Sequence, residues 1–152
     1  MEMSIDYLKD MLRRHEGVRN RPYLCPAGKN TIGVGWNMDA NKLPNSIASY
    51  LRLHGFITEE MIDQLLDISI ETATNQCRNI YPKFDDYSEA RRFALIDFVF
   101  NVGIGTALKF RNMLAAIKVN NWNRAADEMY YSQWSKQVGD RAVEVIGMVR
   151  NG

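Results

Sequence analysis

The chain has 152 residues, 46% of them hydrophobic and 24% charged, which suffices for one globular domain with a buried core. Nineteen Lys and Arg against eighteen Asp and Glu leave a net charge of +1, which excludes a dedicated nucleic-acid binder, since neutralising phosphates needs a basic excess. No apolar run reaches the roughly 18 residues of a membrane span, and the opening MEMSIDYLKD lacks the apolar core of a signal peptide. Synthesis in a cytoplasm, without an export route of its own, is expected.

In chain order, Ser4 can cap a first helix whose Ile5, Leu8, Met11 and Leu12 form an apolar stripe. Glu16 closes that helix, because Gly17 stands where helices commonly end. A small antiparallel hairpin follows: Pro22 to Cys25, a turn through Pro26–Asn30, then Thr31 to Trp36. Its turn places Cys25 and Thr31 at the facing ends of two strands. Gly28, Gly33 and Gly35 serve turn geometry and close packing. Asn37 to Leu43 reads as polar and irregular, and a short helix runs from after Pro44 through Leu53 to an end near Gly55.

Thr58 caps a long helix of about Glu59 to Ile80, with Met61, Ile62, Leu65, Leu66, Ala73 and Cys77 at helical spacing. Pro82 and Asp85–Asp86 interrupt the pattern. Ser88 then starts a helix from Glu89 to Val102 that is apolar over much of its circumference, as the centre of a bundle would be. Gly103 and Gly105 are expected to end it. Helices at about Ala107–Val119, Trp122–Tyr130 and Asp140–Val149 follow, separated by short Gly or Asn punctuation. There is no internal repeat and no low-complexity segment.

The residues with chemistry lie near the start. Glu16, eight residues, Cys25, five residues and Thr31 set a carboxylate, a thiol and a hydroxyl in one stretch. The negative end of the helix dipole and partial burial both disfavour an ionised Glu16, which suits a general acid. Across from it, Cys25 and Thr31 can hold a water or supply a nucleophile, as in glycoside hydrolysis. A carboxylate near Cys25 is expected to suppress ionisation of the thiol, unless Glu16 is protonated or balanced by Arg141. Taken alone, a Glu before Gly is ordinarily a solvated helix end. Cys25 and Cys77 have no metal-ligand spacing, and His15 and His54 add no pattern, so zinc is not expected. Both thiols are expected to be free, Cys77 as buried core. His15 reads as structural, and Arg13–Arg14 and Arg91–Arg92 read as solvated helix faces.

HEG, the Glu-x8-Cys-x5-Thr spacing and TIGVGW resemble the active-site signature of phage-type lysozymes, glycoside hydrolase family 24. That family carries Asp or Cys at the middle position. YSEARRFALIDFVFNVG, FRNMLAAIKVNNWNRAADEM and SQWSKQVGDRAVEVIGMVRNG resemble successive stretches of the family's large lobe, in the same order. Nearly the whole chain is covered, most weakly over residues 37–60. One departure is Trp36, a position usually occupied by His in the signature.

The resemblance implies an α+β, predominantly helical, two-lobe fold. A small hairpin lobe of about residues 13–60 leads into a connecting helix of about 59–80. The helical lobe of about 81–152 packs with the N-terminal helix, and a cleft lies between the lobes. It further implies an endolysin-type muramidase acting on peptidoglycan, with Glu16 as acid and Cys25 and Thr31 positioning water. Phe100, Asn101, Phe110, Gln133 and Trp134 match the family's cleft positions. Aromatic faces and an amide suit sugars, although Phe100, Phe110 and Trp134 read equally as core. Arg141 matches an arginine that pairs with the catalytic Glu. No cofactor is implied, a monomer is expected, and access to the wall would need a separate holin to permeabilise the membrane. Inversion is expected, with retention through a Cys25 adduct open. Two other classes remain: a peptidoglycan-binding scaffold or tail domain that does not hydrolyse, and a thiol-based transferase or redox protein. The latter lacks a CxxC motif and an evident His partner.

Overall fold

The computed structural model describes residues 4–152. In chain order it contains α1 (Ile5–Glu16), β1 (Arg19–Leu24), β2 (Asn30–Gly33), β3 (Trp36–Asn37), α2 (Asn45–His54) and α3 (Glu59–Ile80). A 3-10 turn at Phe84–Asp86 precedes α4 (Glu89–Lys109), α5 (Arg111–Lys118), α6 (Trp122–Tyr130), α7 (Gln133–Val138) and α8 (Asp140–Asn151). This is an α+β fold, predominantly helical. It divides into two compact units, Lys9–Ile70 and a second formed by the described residues up to Leu8 with Glu71–Gly152.

In the Lys9–Ile70 unit, Met11 and Leu12 from α1, Ile32 from β2, Ile47 from α2 and Ile62, Leu65 and Leu66 from α3 are buried. Each such side chain contributes roughly 1.5–3 kcal/mol on leaving water. A charged clamp adds to this apolar core. Lys9 Nζ reaches Asp67 at 2.6 Å and Asp63 at 3.1 Å, while Arg13 donates to Asp63 at 2.8 Å. Hydrogen bonding to Asp67 is the largest influence holding the Lys9 pKa above its ordinary value, and Lys9 in turn holds the Asp63 carboxyl below its own. Arg13, expected on a solvated face, therefore ties α1 to α3. Ile5 also departs from its expected place in the stripe, being 49% exposed in the first turn of α1.

The expected hairpin is a three-stranded antiparallel sheet in the order β1-β2-β3. Gly33 and Gly35, both at φ +66°, turn the chain so that Ile32 pairs with Trp36 and Thr31 with Asn37. Pro22, which has no N–H for a ladder, is tolerated because β1 is an edge strand. The stretch after β3 is organised by side chains. Asn37 Oδ1 accepts from the N–H groups of Asp39 and Ala40, and Asp39 accepts from Asn30 backbone N and Nδ2 at 2.9 and 3.0 Å.

In the second unit, local signals set most helix starts. Ser88 accepts from Arg91 N, Asn121 from Arg124 N and Ser132 from Ser135 N, each an N-cap bond. Gly103, at φ +81° and ψ +158°, breaks α4 as expected, but the helix resumes through Lys109. The helix expected from Ala107 accordingly starts at Arg111, after Phe110 leaves helical geometry. Helix α7 was not anticipated, since its six residues show no periodicity. Arg91 is not a solvated residue either. It donates to the carbonyls of Val149 and Arg150 at the end of α8 and lies 4.6 Å from the Trp122 ring centroid, a C-terminal cap made by a distant side chain. Cys77 is fully buried, and desolvation pushes its thiol pKa up to about 12.

Candidate active site

Glu16 is the last residue of α1, and the Gly17 N–H closes the helix on the Arg13 carbonyl at 2.9 Å. Gly17 sits at φ +79°, the left-handed conformation that ends helices, so Glu16 is held at a sharp stop. Its side chain is half-buried. The loop between β2 and β3 runs against it: an ideal Cβ on Gly35 would lie 3.2 Å from Glu16 Oε1 and 3.3 Å from its Cδ.

Cys25 opens the turn between β1 and β2. Its N–H donates to the Lys29 carbonyl at 3.0 Å, and its carbonyl accepts from Gly28 N at 2.8 Å. Cys25 therefore stands one residue beyond β1, and Thr31 faces Tyr23 in the ladder. Thr31 is 4% exposed, with its hydroxyl 2.8 Å from the Lys29 carbonyl. The expected suppression of the thiol is not what the turn produces. The Lys29 N–H first, then the Thr31 hydroxyl and the N–H groups of Ala27 and Cys25 itself, stabilise the thiolate and lower the Cys25 pKa. The one hydroxyl proton of Thr31 is directed at the Lys29 carbonyl in this structure, and a bond to the thiolate would use that same proton.

Tyr23 links these groups. Its pKa is raised by burial first, then by the charges of Glu16 and Cys25, against which Arg19 acts; the Arg19 guanidinium is 5.2 Å from the ring centroid. Tyr23, Lys29 and the Gly35–Glu16 contact were not singled out from sequence. Only the Gly33-x-Gly35 pattern carried a usable signal. Trp36, which departs from the signature, is 7% exposed and donates its Nε1–H to the Asn41 carbonyl at 3.1 Å, supplying its own anchor to the following turn.

The other named residues belong to the second unit. Trp134 is 6% exposed and meets Phe98 edge-on at 5.0 Å, as does Phe110. Trp134 Nε1 donates to Asn101 Oδ1 at 2.7 Å, which leaves the Asn101 amide hydrogens for other partners. Phe100 and Phe110 are half-buried, and Gln133 is exposed at the first position of α7. Phe110 lines a pocket of about 300 Å³ together with Asn112, Glu128 and Tyr131. Arg141 is buried and donates from Nε to Asp97 Oδ1 at 2.8 Å.

Residues 13–151 match the phage lysozyme family. The chain belongs to that family. Membership makes this phage lysozyme relative a glycoside hydrolase of the lysozyme class. It is similar to "Probable T4-type lysozyme 1" of Dictyostelium discoideum, 27% identical, with 97% of this chain and 96% of that protein covered. It is 25% identical to an "Endolysin" of Acyrthosiphon pisum secondary endosymbiont phage 1, covering 92% of this chain and 86% of that one. The "Pre-baseplate central spike protein Gp5" of Enterobacteria phage T4 is also 25% identical; that match covers 95% of this chain but 28% of Gp5.

The two thiols of this lysozyme-family chain should separate in reactivity. Iodoacetamide at increasing pH should modify Cys25 with a midpoint below that of an unperturbed thiol, and spare Cys77 until the protein unfolds. Thr31→Val keeps the branched shape but loses the hydroxyl, so it should move the Cys25 midpoint upward. A midpoint unmoved by Thr31→Val, followed by peptide mass spectrometry, would show that Thr31 does not stabilise the thiolate.

Proposed function

We propose that this chain is an endolysin-type muramidase, hydrolysing the β-1,4 bond between N-acetylmuramic acid and N-acetylglucosamine in bacterial peptidoglycan. The observation that carries the reading is the Glu16, Cys25 and Thr31 constellation. A sharp helix stop and a tight turn hold these residues in one compact unit, in a chain of the phage lysozyme family. Glu16 donates its proton to the glycosidic oxygen as the C1–O bond breaks and the electron pair leaves with that oxygen. Water, held by the Thr31 hydroxyl and the Cys25 sulfur, attacks C1 and gives its proton to the thiolate. Exchange with solvent returns both groups to their starting states. The lowered Cys25 pKa supports this role, because it eases ionisation of the sulfur where the family also uses Asp.

In this reading Phe100, Asn101, Phe110, Gln133 and Trp134 bind saccharide and Arg141 orients the acid. The protein acts as a monomer and needs no cofactor, since a proton donor and a positioned water suffice. Among the described residues no single helix is long and apolar enough to cross a membrane. The enzyme is made in the host cytoplasm and reaches the wall through a lesion made by a separate holin. The similarity to Gp5 favours a second setting, the same hydrolase carried as part of a phage particle.

Purified sacculi test the reaction. Wild type should release reducing ends, and proton NMR before mutarotation should show the α-anomer of an inverting hydrolysis. Cys25→Asp should remain active, and Cys25→Ala should lose most activity. Binding to sacculi without release of reducing ends would mean a scaffold. A β-anomer, or a glycosyl adduct on Cys25, would replace the water-holding role with nucleophilic attack.

A further inference from the structure

We infer that Gly35 is a positioning residue for Glu16: its missing side chain is the space in which the Glu16 carboxyl sits. A Cβ built on Gly35 meets Glu16 Oε1 at 3.2 Å and Cδ at 3.3 Å, both closer than ordinary van der Waals contact, and Cγ at its lower limit of 3.4 Å. One of the two partners must therefore yield to any side chain at position 35.

The loop is the partner that cannot yield. On one side, Gly33 is packed on α3, where its own Cβ would stand 3.8 Å from both Ile62 and Leu65. Between the glycines, Val34 is 2% exposed. On the other side Trp36 is buried, paired with Ile32 in the ladder and bonded through Nε1 to the Asn41 carbonyl. A loop held at three consecutive anchors does not retreat by a few tenths of an ångström. The carboxyl, at the end of a half-buried side chain, swings instead. Gly33 and Gly35 thus have different tasks. Both supply the positive φ of the turn, but Gly35 also sets where the acidic proton is presented.

This inference rests on Glu16 being the acid, and its tests separate the two. Gly35→Ala combines backbone strain at φ +66° with the contact on Glu16. Gly55→Ala, at φ +78° with only Arg21 NH1 at 3.7 Å, carries similar strain and no contact with Glu16, so it is the control. Gly35→Ala should lower kcat roughly ten- to a hundredfold with little change in KM, as for a displaced reacting group, while Gly55→Ala retains wild-type kinetics. In a Glu16→Gln background, Gly35→Ala should cost no further rate. Equal kinetic effects of the two alanines, or a full additional loss in the Gln background, would overturn the positioning role.

A stability cycle reads the same contact without catalysis. Glu16→Ala empties the space, so it should restore the melting temperature of Gly35→Ala to near that of Gly55→Ala. No restoration would show that Gly35 matters for backbone conformation alone. If Glu16→Gln by itself leaves full activity, the acid assignment fails, while this cycle still reports on the contact.

Discussion

Glu16→Gln is expected to reduce hydrolysis of sacculi by about 10²–10⁴-fold, the range typical for loss of a general acid. The substitution keeps length and shape and removes the transferable proton. The residue lies at the end of α1, half-buried, with the helix closed by backbone bonds that Gln leaves intact. Thermal stability should therefore change little while activity collapses. KM should change less than kcat, because proton donation strengthens only as the glycosidic bond breaks. Rates of reducing-end release from purified sacculi, with melting curves on the same samples, check both halves. Wild-type rates from the Gln variant would mean that another group donates the proton.

Asp97→Ala is expected to destabilise the helical unit strongly, by about 3–5 kcal/mol. Asp97 is fully buried on α4 and Arg141 is 6% exposed on α8, with their side chains 2.8 Å apart. Arg141 also donates to the Asp97 carbonyl at 3.3 Å, so the pair fixes α8 on α4 through two acceptors of one residue. Removing the carboxylate takes from the buried guanidinium the acceptor that its Nε–H uses at 2.8 Å, and the loss of that charge-assisted bond in a desolvated place is the costly part. At roughly 2–4 °C per kcal/mol for a chain of this size, the melting temperature should drop by about 6–20 °C. Replacing both partners with apolar residues, Asp97→Leu with Arg141→Met, should recover part of the loss, because neither half of this ion pair is then left facing the other's vacancy. A drop of only a degree or two for Asp97→Ala would show that the pair contributes little to holding the helices.

How far the sequence reaches depends on the range of each interaction. Helix α3 was legible: Thr58 caps it through Met61 N, and of its apolar stripe Ile62, Leu65, Leu66, Ala73 and Cys77 are buried while Met61 is half-buried. The stops at Glu16 and Gly55 were legible for the same reason, since a left-handed glycine acts on its own turn. The Glu16, Cys25 and Thr31 spacing, with the family it signals, also needed no coordinates.

Other features had too short a local trace to read, or none. Strand β3 is two residues long and exists because Gly33 and Gly35 fold it back onto β2. Helix α7 has six residues, too few to show a period, so its existence follows from the Ser132 cap and the packing of Trp134 on Phe98. Arg91 looks like any charged residue on a helix until the end of α8 arrives beside it. Asp97 was hidden among apolar neighbours, and its partner lies 44 positions away. The lowered thiol pKa of Cys25 came from backbone N–H groups of the turn, which residue types alone do not display.

The sequence by itself determined the helix boundaries set by caps and glycines, because capping and periodicity act within a turn or two of the chain, while the expected fold class and the Glu16, Cys25 and Thr31 assignment came from its resemblance to a family. Tertiary structure alone decided which charges are buried and paired, which way the Cys25 thiol titrates, and that Gly35 stands against Glu16. Those depend on desolvation and contact between segments brought together only when the chain folds.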